Sequence, residues 1–100
     1  MIKDIVLTRT ALNNYNAIVK YLIEEWNVSV ANDFIENFLE TQRLIAKQTE
    51  IYSFENKVRQ IQKCVLTKHN IIYFKATKTQ VKILAIFDTR QDPKKLSRFI

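Results

Sequence analysis

Residues 58 to 93, VRQIQKCVLTKHNIIYFKATKTQVKILAIFDTRQDP, decide the fold. Three apolar, β-branched or aromatic runs stand in this stretch: Val58 to Leu66, Ile71 to Ala76 and Val81 to Phe87. Thr67-Lys68-His69-Asn70 and Thr77-Lys78-Thr79-Gln80 separate them. Runs this short, joined by polar turns this short, predict consecutive hairpins and a three-stranded antiparallel meander. The chain has no Gly, so the turns must use Asn70, Lys78 or similar residues. They are expected to be looser than primed two-residue turns. Three strands also need one face covered, and the cover must come from the N-terminal half.

That half reads as one short strand and two helices. Lys3 to Leu7 is β-branched and strand-like, and Thr8 or Thr10 can cap a helix after it. Leu12, Tyr15, Val19, Leu22 and Trp26 then recur at steps of 3, 4, 3 and 4, one apolar stripe flanked by Ile18 and Ile23. This places Tyr15 and Trp26 in the core, with Asn13, Asn14, Asn16, Lys20 and Glu24 on the polar side. Ser29 offers a second cap, and Ala31, Phe34, Ile35, Phe38 and Ile45 form the second apolar face. Only Asn27 and Val28 separate the helices, so an antiparallel hairpin is predicted. Residues 48 to 57 lack a period and read as a connector, with Ile51, Tyr52 and Phe54 tucked onto the core. The expected architecture is α+β, in the order β-α-α-β-β-β. The helical hairpin packs on one face of a small, mainly antiparallel sheet.

A chain of 100 residues, 47% apolar and 26% charged, fits one globular domain over residues 1 to 100. No stretch is long and apolar enough to span a membrane, and no signal-peptide core opens the sequence. The lone Cys64 cannot form an internal disulfide, so a reducing cytoplasm is the simplest location. Inside an apolar strand it reads as packing. The charge is uneven. Residues 1 to 50 hold five Lys/Arg and seven Asp/Glu, net −2, whereas residues 51 to 100 hold eleven and three, net +8. One cationic surface for an anionic partner follows, lining the uncovered sheet face or its rim. Solubility charge on exposed strand positions is the plainer alternative. No Gly-rich phosphate loop, nucleophile elbow or carboxylate pair is present, and neither a metal nor a cofactor is expected. His69 is the only histidine and sits in a predicted turn, without ligands at metal spacing.

Certain residues, taken together, resemble the RelE/ParE toxins of bacterial type II toxin–antitoxin systems, the plasmid stabilisation family. They are Ala11-Leu12 at a helix start, Trp26 at its end, and Ala31-x-x-Phe34 opening the next helix. Val58-Arg59 begins the second strand, Ile72-Tyr73 lies in the third, and the last strand runs into Asp88-Thr89-Arg90-Gln91-Asp92-Pro93. The resemblance implies a growth-arresting toxin, neutralised by an antitoxin segment that lies across its helices and sheet edge. RelE-like members cut messenger RNA in the ribosome without a metal, whereas ParE-like members poison DNA gyrase.

For the ribonuclease reading, Arg59 and Arg90 match the basic residues that would clamp the phosphate. Arg90 beside Asp92 is equally a local ion pair. Lys57 and Lys63 are weak candidates for the base. The family's arginine before the third-strand Tyr is replaced by Asn70, and the terminal Tyr or His is absent, the tail offering Leu96 and Phe99. These departures favour the ParE-like action. Arg59, Tyr73, Arg90, Lys94 and Lys95 are the candidate binding residues, with Tyr73 free to point to either face. An acidic, amphipathic antitoxin segment is expected on the Arg59/Arg90 side or the adjoining groove. A non-toxic basic nucleic-acid-binding module is the reading from a different class.

Overall fold

A computed structural model describes residues 2–98. The strand Asp4–Leu7 (β1) leads into two helices, Arg9–Glu25 (α1) and Val28–Lys47 (α2). Four strands follow: Phe54–Asn56 (β2), Ile61–Thr67 (β3), Asn70–Ala76 (β4) and Gln80–Asp88 (β5). The sheet order is β1-β5-β4-β3-β2. All neighbours are antiparallel except β1 and β5, which pair in parallel from Asp4↔Gln80 to Leu7↔Ile83. The predicted meander is therefore β3-β4-β5, with the first strand added beside β5. A fifth strand, the short edge β2, arises inside the stretch expected to be a connector.

One hydroxyl sets where α1 starts. Thr8 Oγ1 accepts from Ala11 N at 3.1 Å as the helix cap and donates to Leu84 O at 2.9 Å, tying the helix start to β5. Ala11 is fully buried there, because only a small side chain lets the helix approach the sheet so closely. The core-facing stripe becomes Ala11, Tyr15, Ile18 and Leu22, with Val19 beside it. Leu12 and Trp26, expected inside, are exposed. Asn27, not Ser29, caps α2, its Oδ1 accepting from Val30 N at 2.9 Å. The second helix otherwise buries the expected face: Ala31, Phe34, Phe38 and Ile45. Tyr15 closes the seam between the helices, 5.1 Å from Phe38 and 6.1 Å from Phe34.

The inner face of the sheet meets this hairpin with Leu66, Ile72, Phe74, Val81, Ile83 and Ile86. Ile83 and Ile86 can both point inward because a bulge interrupts the β4–β5 register between Tyr73↔Ala85 and Phe74↔Ile83. The outer face holds a smaller cluster of Ile61, Tyr73 and Phe87. A 3-10 segment, Pro93–Arg98, lays Leu96 over it. Phe99 and the residue after it lie outside the described residues.

Three local expectations change. The strand expected from Val58 is β3 and begins at Ile61, because residues 57–60 form a turn in which Val58 is 94% exposed. Gln60 takes a positive φ of 59° there, a conformation usually left to Gly, which this chain lacks. The β3–β4 hairpin is also tighter than expected, with only Lys68 and His69 between its strands. Thr67 holds it closed, donating to Asn70 Oδ1 at 2.7 Å and accepting from His69 N at 3.2 Å. A bulge between Val65 and Thr67 takes up the mismatch, so no positive φ is needed. Of the three connector residues expected on the core, only Tyr52 packs inward, edge-on to Phe74 at 5.9 Å, while Ile51 and Phe54 are exposed.

Candidate functional site

The displaced start of α1 creates a cleft. Thr8 sits at Leu84, and Asn14 reaches Ile86, its Oδ1 accepting from Ile86 N at 3.0 Å. A helix of 17 residues is about 25 Å long, so its second half continues past the end of β5. Below that overhang lies a cleft of about 950 Å³ between the hairpin and the sheet end. Ile18, Tyr21 and Leu22 of α1 and its C-cap Trp26 line one wall, and Val30, Asp33, Phe34 and Asn37 of α2 continue it. Thr67, His69, Asn70, Ile86, Asp88 and Arg90 form the sheet side, with Lys95 at the rim. Trp26 is 67% exposed and Tyr21 47%, so two aromatic rings stand at the mouth of an apolar hollow.

The floor of the cleft is an open strand edge. β1 ends opposite Ile83, so among the described residues no strand flanks residues 84–88 on that side. Thr8 and Asn14 side chains occupy Leu84 O and Ile86 N. Beyond them the edge runs on to Asp88 without a strand partner. Such an edge is a template for another extended chain.

Electrostatics at the sheet end centre on one pair. Arg90 donates to Asp88 twice, Nε–Oδ1 at 3.0 Å and a terminal nitrogen to Oδ2 at 2.8 Å, while Arg90 N donates to Oδ1 at 2.9 Å. These hydrogen bonds from Arg90 hold the Asp88 carboxyl below its ordinary value and raise the guanidinium in turn. The partner is thus Asp88, not the Asp92 that the sequence offered. His69 lies on the turn beside them, its carbonyl accepting from Thr89 N at 2.8 Å.

The other candidate residues lie elsewhere. Arg59 and Lys57 occupy the turn before β3, at the end of the sheet where β5 begins. Arg90 is at the other end, beside the rung Thr67–Asn70–Asp88. At ~3.3 Å per residue, the two arginine positions are separated by roughly 20 Å or more along the sheet and do not converge on one phosphate. Lys63 pairs with Glu55 at 3.1 Å. Tyr73 does face away from the helices, yet it is only 4% exposed under Leu96, so it offers no stacking surface. Burial first, and the charge of Glu55 second, raise its phenol above the ordinary value. Lys95 reaches the cleft rim, and Lys94 is exposed nearby. Burial pushes the Cys64 thiol up, in keeping with a packing role. Among the described residues, no three His, Cys, Asp or Glu gather as a metal site.

Asn14, Tyr21 and Asn37 are cleft residues that reading the sequence passed over, and Trp26 was placed on the wrong side. The exposure of Trp26 had one sequence signal: it ends the helix immediately before the Asn27 cap, where a stripe can outrun the sheet that it covers.

A family model described as "ParE toxin of type II toxin-antitoxin system, parDE" matches residues 5–93. A solved structure titled "Chromosomal ParDE TA system from P. aeruginosa" contains a chain with the same fold, at a TM-score of 0.73 and 15% identity. The match covers 87% of this chain and 96% of that one. No curated protein sequence matches. No helix among the described residues is long and apolar enough to cross a membrane.

Proposed function

The chain belongs to the ParE toxin family of type II toxin–antitoxin systems, and on that premise we propose that it arrests bacterial growth by acting on DNA gyrase in the cytoplasm. Its cognate antitoxin neutralises it by seating a segment in the cleft under the α1 overhang. The observation that carries the partner is the cleft itself. Two exposed aromatic rings, an apolar hollow and an unflanked β5 edge together leave surface that a lone chain has no reason to keep. An amphipathic segment would bury its apolar side against Leu22, Trp26 and Phe34 and hydrogen-bond along β5 near Asp88.

The choice of gyrase over messenger RNA rests on the family and on the dispersal of the candidate catalytic set. A metal-free ribonuclease needs acid, base and cations around one phosphate. Here Arg59 and Arg90 sit at opposite ends of the sheet, Lys63 is engaged by Glu55, and Tyr73 is covered.

The test is pulse-labelling of bacteria shortly after induction of the toxin alone, following methionine and thymidine incorporation together. Thymidine should fall first. An early collapse of methionine incorporation would transfer the target to translation. No change in either, with abundant soluble protein, would remove the toxin reading. Co-expression of the cognate antitoxin should restore growth.

A further inference from the structure

The outer face of the sheet, at the end away from the cleft, carries a cluster of cations. Lys82 on β5 and Lys75 on β4 are direct cross-strand partners, and both are exposed. Like charges placed opposite each other weaken an antiparallel pair, so this arrangement costs stability in the free protein. Lys63 lies one strand further, opposite Tyr73 and so diagonal to Lys75. The turn before β3 adds Lys57 and Arg59. Glu55 engages Lys63, but Lys57, Arg59, Lys75 and Lys82 have no salt bridge among the described residues.

An array of anions relieves such a cluster. Three strands at ~4.8 Å spacing make it about 10 Å wide, enough to meet several phosphates. Its surroundings discriminate among polyanions. Among the described residues, the rings on this face, Tyr73 and Phe87, are buried in the cluster with Leu96, so unstacked bases would find no platform on them. Phosphate contacts to a duplex need only the cations. We infer that the outer face around Lys75 and Lys82 docks the phosphate backbone of duplex DNA, independently of sequence. The choice of DNA over duplex RNA rests on the gyrase reading above, since gyrase holds a DNA duplex.

The experiment titrates the full-length protein into a fluorescein-labelled 20-bp DNA duplex of arbitrary sequence, at several salt concentrations, reading anisotropy. The same sequence as an RNA duplex, and polyglutamate as competitor, run beside it. Binding should weaken steeply with salt. The double variant Lys75→Glu/Lys82→Glu should lose at least tenfold in affinity. Its plot of log affinity against log salt should flatten by about 2, for two lost phosphate contacts. Lys75→Gln/Lys82→Gln should lose less, and it keeps the test valid should the first variant fold poorly. Unchanged affinity in the folded variants overturns the inference, as does a preference for the RNA duplex or more effective capture by polyglutamate. Gyrase is absent from the assay, so a toxin that proves not to act on gyrase leaves this result standing.

Discussion

Where β5 runs out beneath the helical overhang, the surface is apolar and aromatic, with a strand edge still open. Where the same strand begins, the outer face presents Lys82 against Lys75, with Lys57 and Arg59 on the turn nearby and no exposed ring among the described residues. The two regions share one sheet and one inner core, yet they differ because the helices are laid asymmetrically. Thr8 anchors α1 at Leu84, already partway along β5, so the hairpin covers the inner face and overshoots one end. The outer face receives only Leu96 and the short segment around it. A partner that buries apolar surface thus has one address, and a partner that meets charge has another.

If the shared core is what holds the two regions in relation, then weakening it should damage both. Phe74 is fully buried and meets the edge of Tyr52. Phe74→Ala should cost about 3–5 kcal/mol, read by chemical denaturation. Antitoxin binding and DNA binding should then both decline as the folded fraction falls. Retention of either at full strength in the destabilised variant would mean that the two regions do not depend on one slab.

A sharper separation comes from Trp26. It is an exposed ring at the cleft mouth, so Trp26→Ala should leave the melting temperature nearly unchanged. The same substitution should weaken antitoxin binding by about 2–4 kcal/mol, the range of a buried aromatic anchor, in calorimetric titration. DNA affinity should not move. Loss of DNA binding would join the two regions and undo the contrast.

Asn14 tests whether the overhang is held by a specific bond. Its Oδ1 satisfies Ile86 N at 3.0 Å where no strand can. Asn14→Ala should destabilise the fold by about 1–3 kcal/mol, the cost of an unsatisfied backbone donor. Hydrogen exchange at Ile86 should quicken, while the amides around Lys75 stay protected.

The smallest effect is a pH dependence confined to the cleft end. The Asp88 carboxyl is held below its ordinary value by hydrogen bonds from Arg90. Its contribution to stability is therefore fully present above the unfolded-state value, about 4, and is lost as pH falls through the lower folded-state value. Asp88→Asn should remove that contribution at neutral pH, a small loss since the pair is partly exposed, and so flatten thermal stability across the acidic window. An identical acid limb in both proteins would assign the loss to other carboxylates.

Much of this was legible in the chain, and the misses share a cause. The runs around Lys63, Ile72 and Ile83 announced three hairpinned strands because alternation and short polar turns are local properties. The stripe on α1 was correct in period and at Tyr15, Val19 and Leu22, and wrong at its ends, where Leu12 and Trp26 are exposed and Ala11 is buried. Leu12-Tyr15-Val19 and Ala11-Tyr15-Ile18 both advance at helical steps, and periodicity does not reveal that Ala11 is the residue the sheet needs close by. The pairing of Arg90 with Asp88 and not Asp92 turned on where the backbone went after β5.

The amino-acid sequence by itself determined the α+β class, the order of the elements apart from the edge strand β2, the two amphipathic helices and the concentration of positive charge in the second half. Each of these depends on spacing or composition within a few residues. Only the tertiary structure decided that β1 lies parallel to β5, that α1 overshoots the sheet, and that Arg59 and Arg90 stand at opposite ends. Those relations come from packing between segments far apart in the chain: a buried alanine, a threonine hydroxyl shared between helix and strand, and a bulge that keeps Ile83 and Ile86 on one face. No local pattern encodes which distant neighbour a side chain will meet.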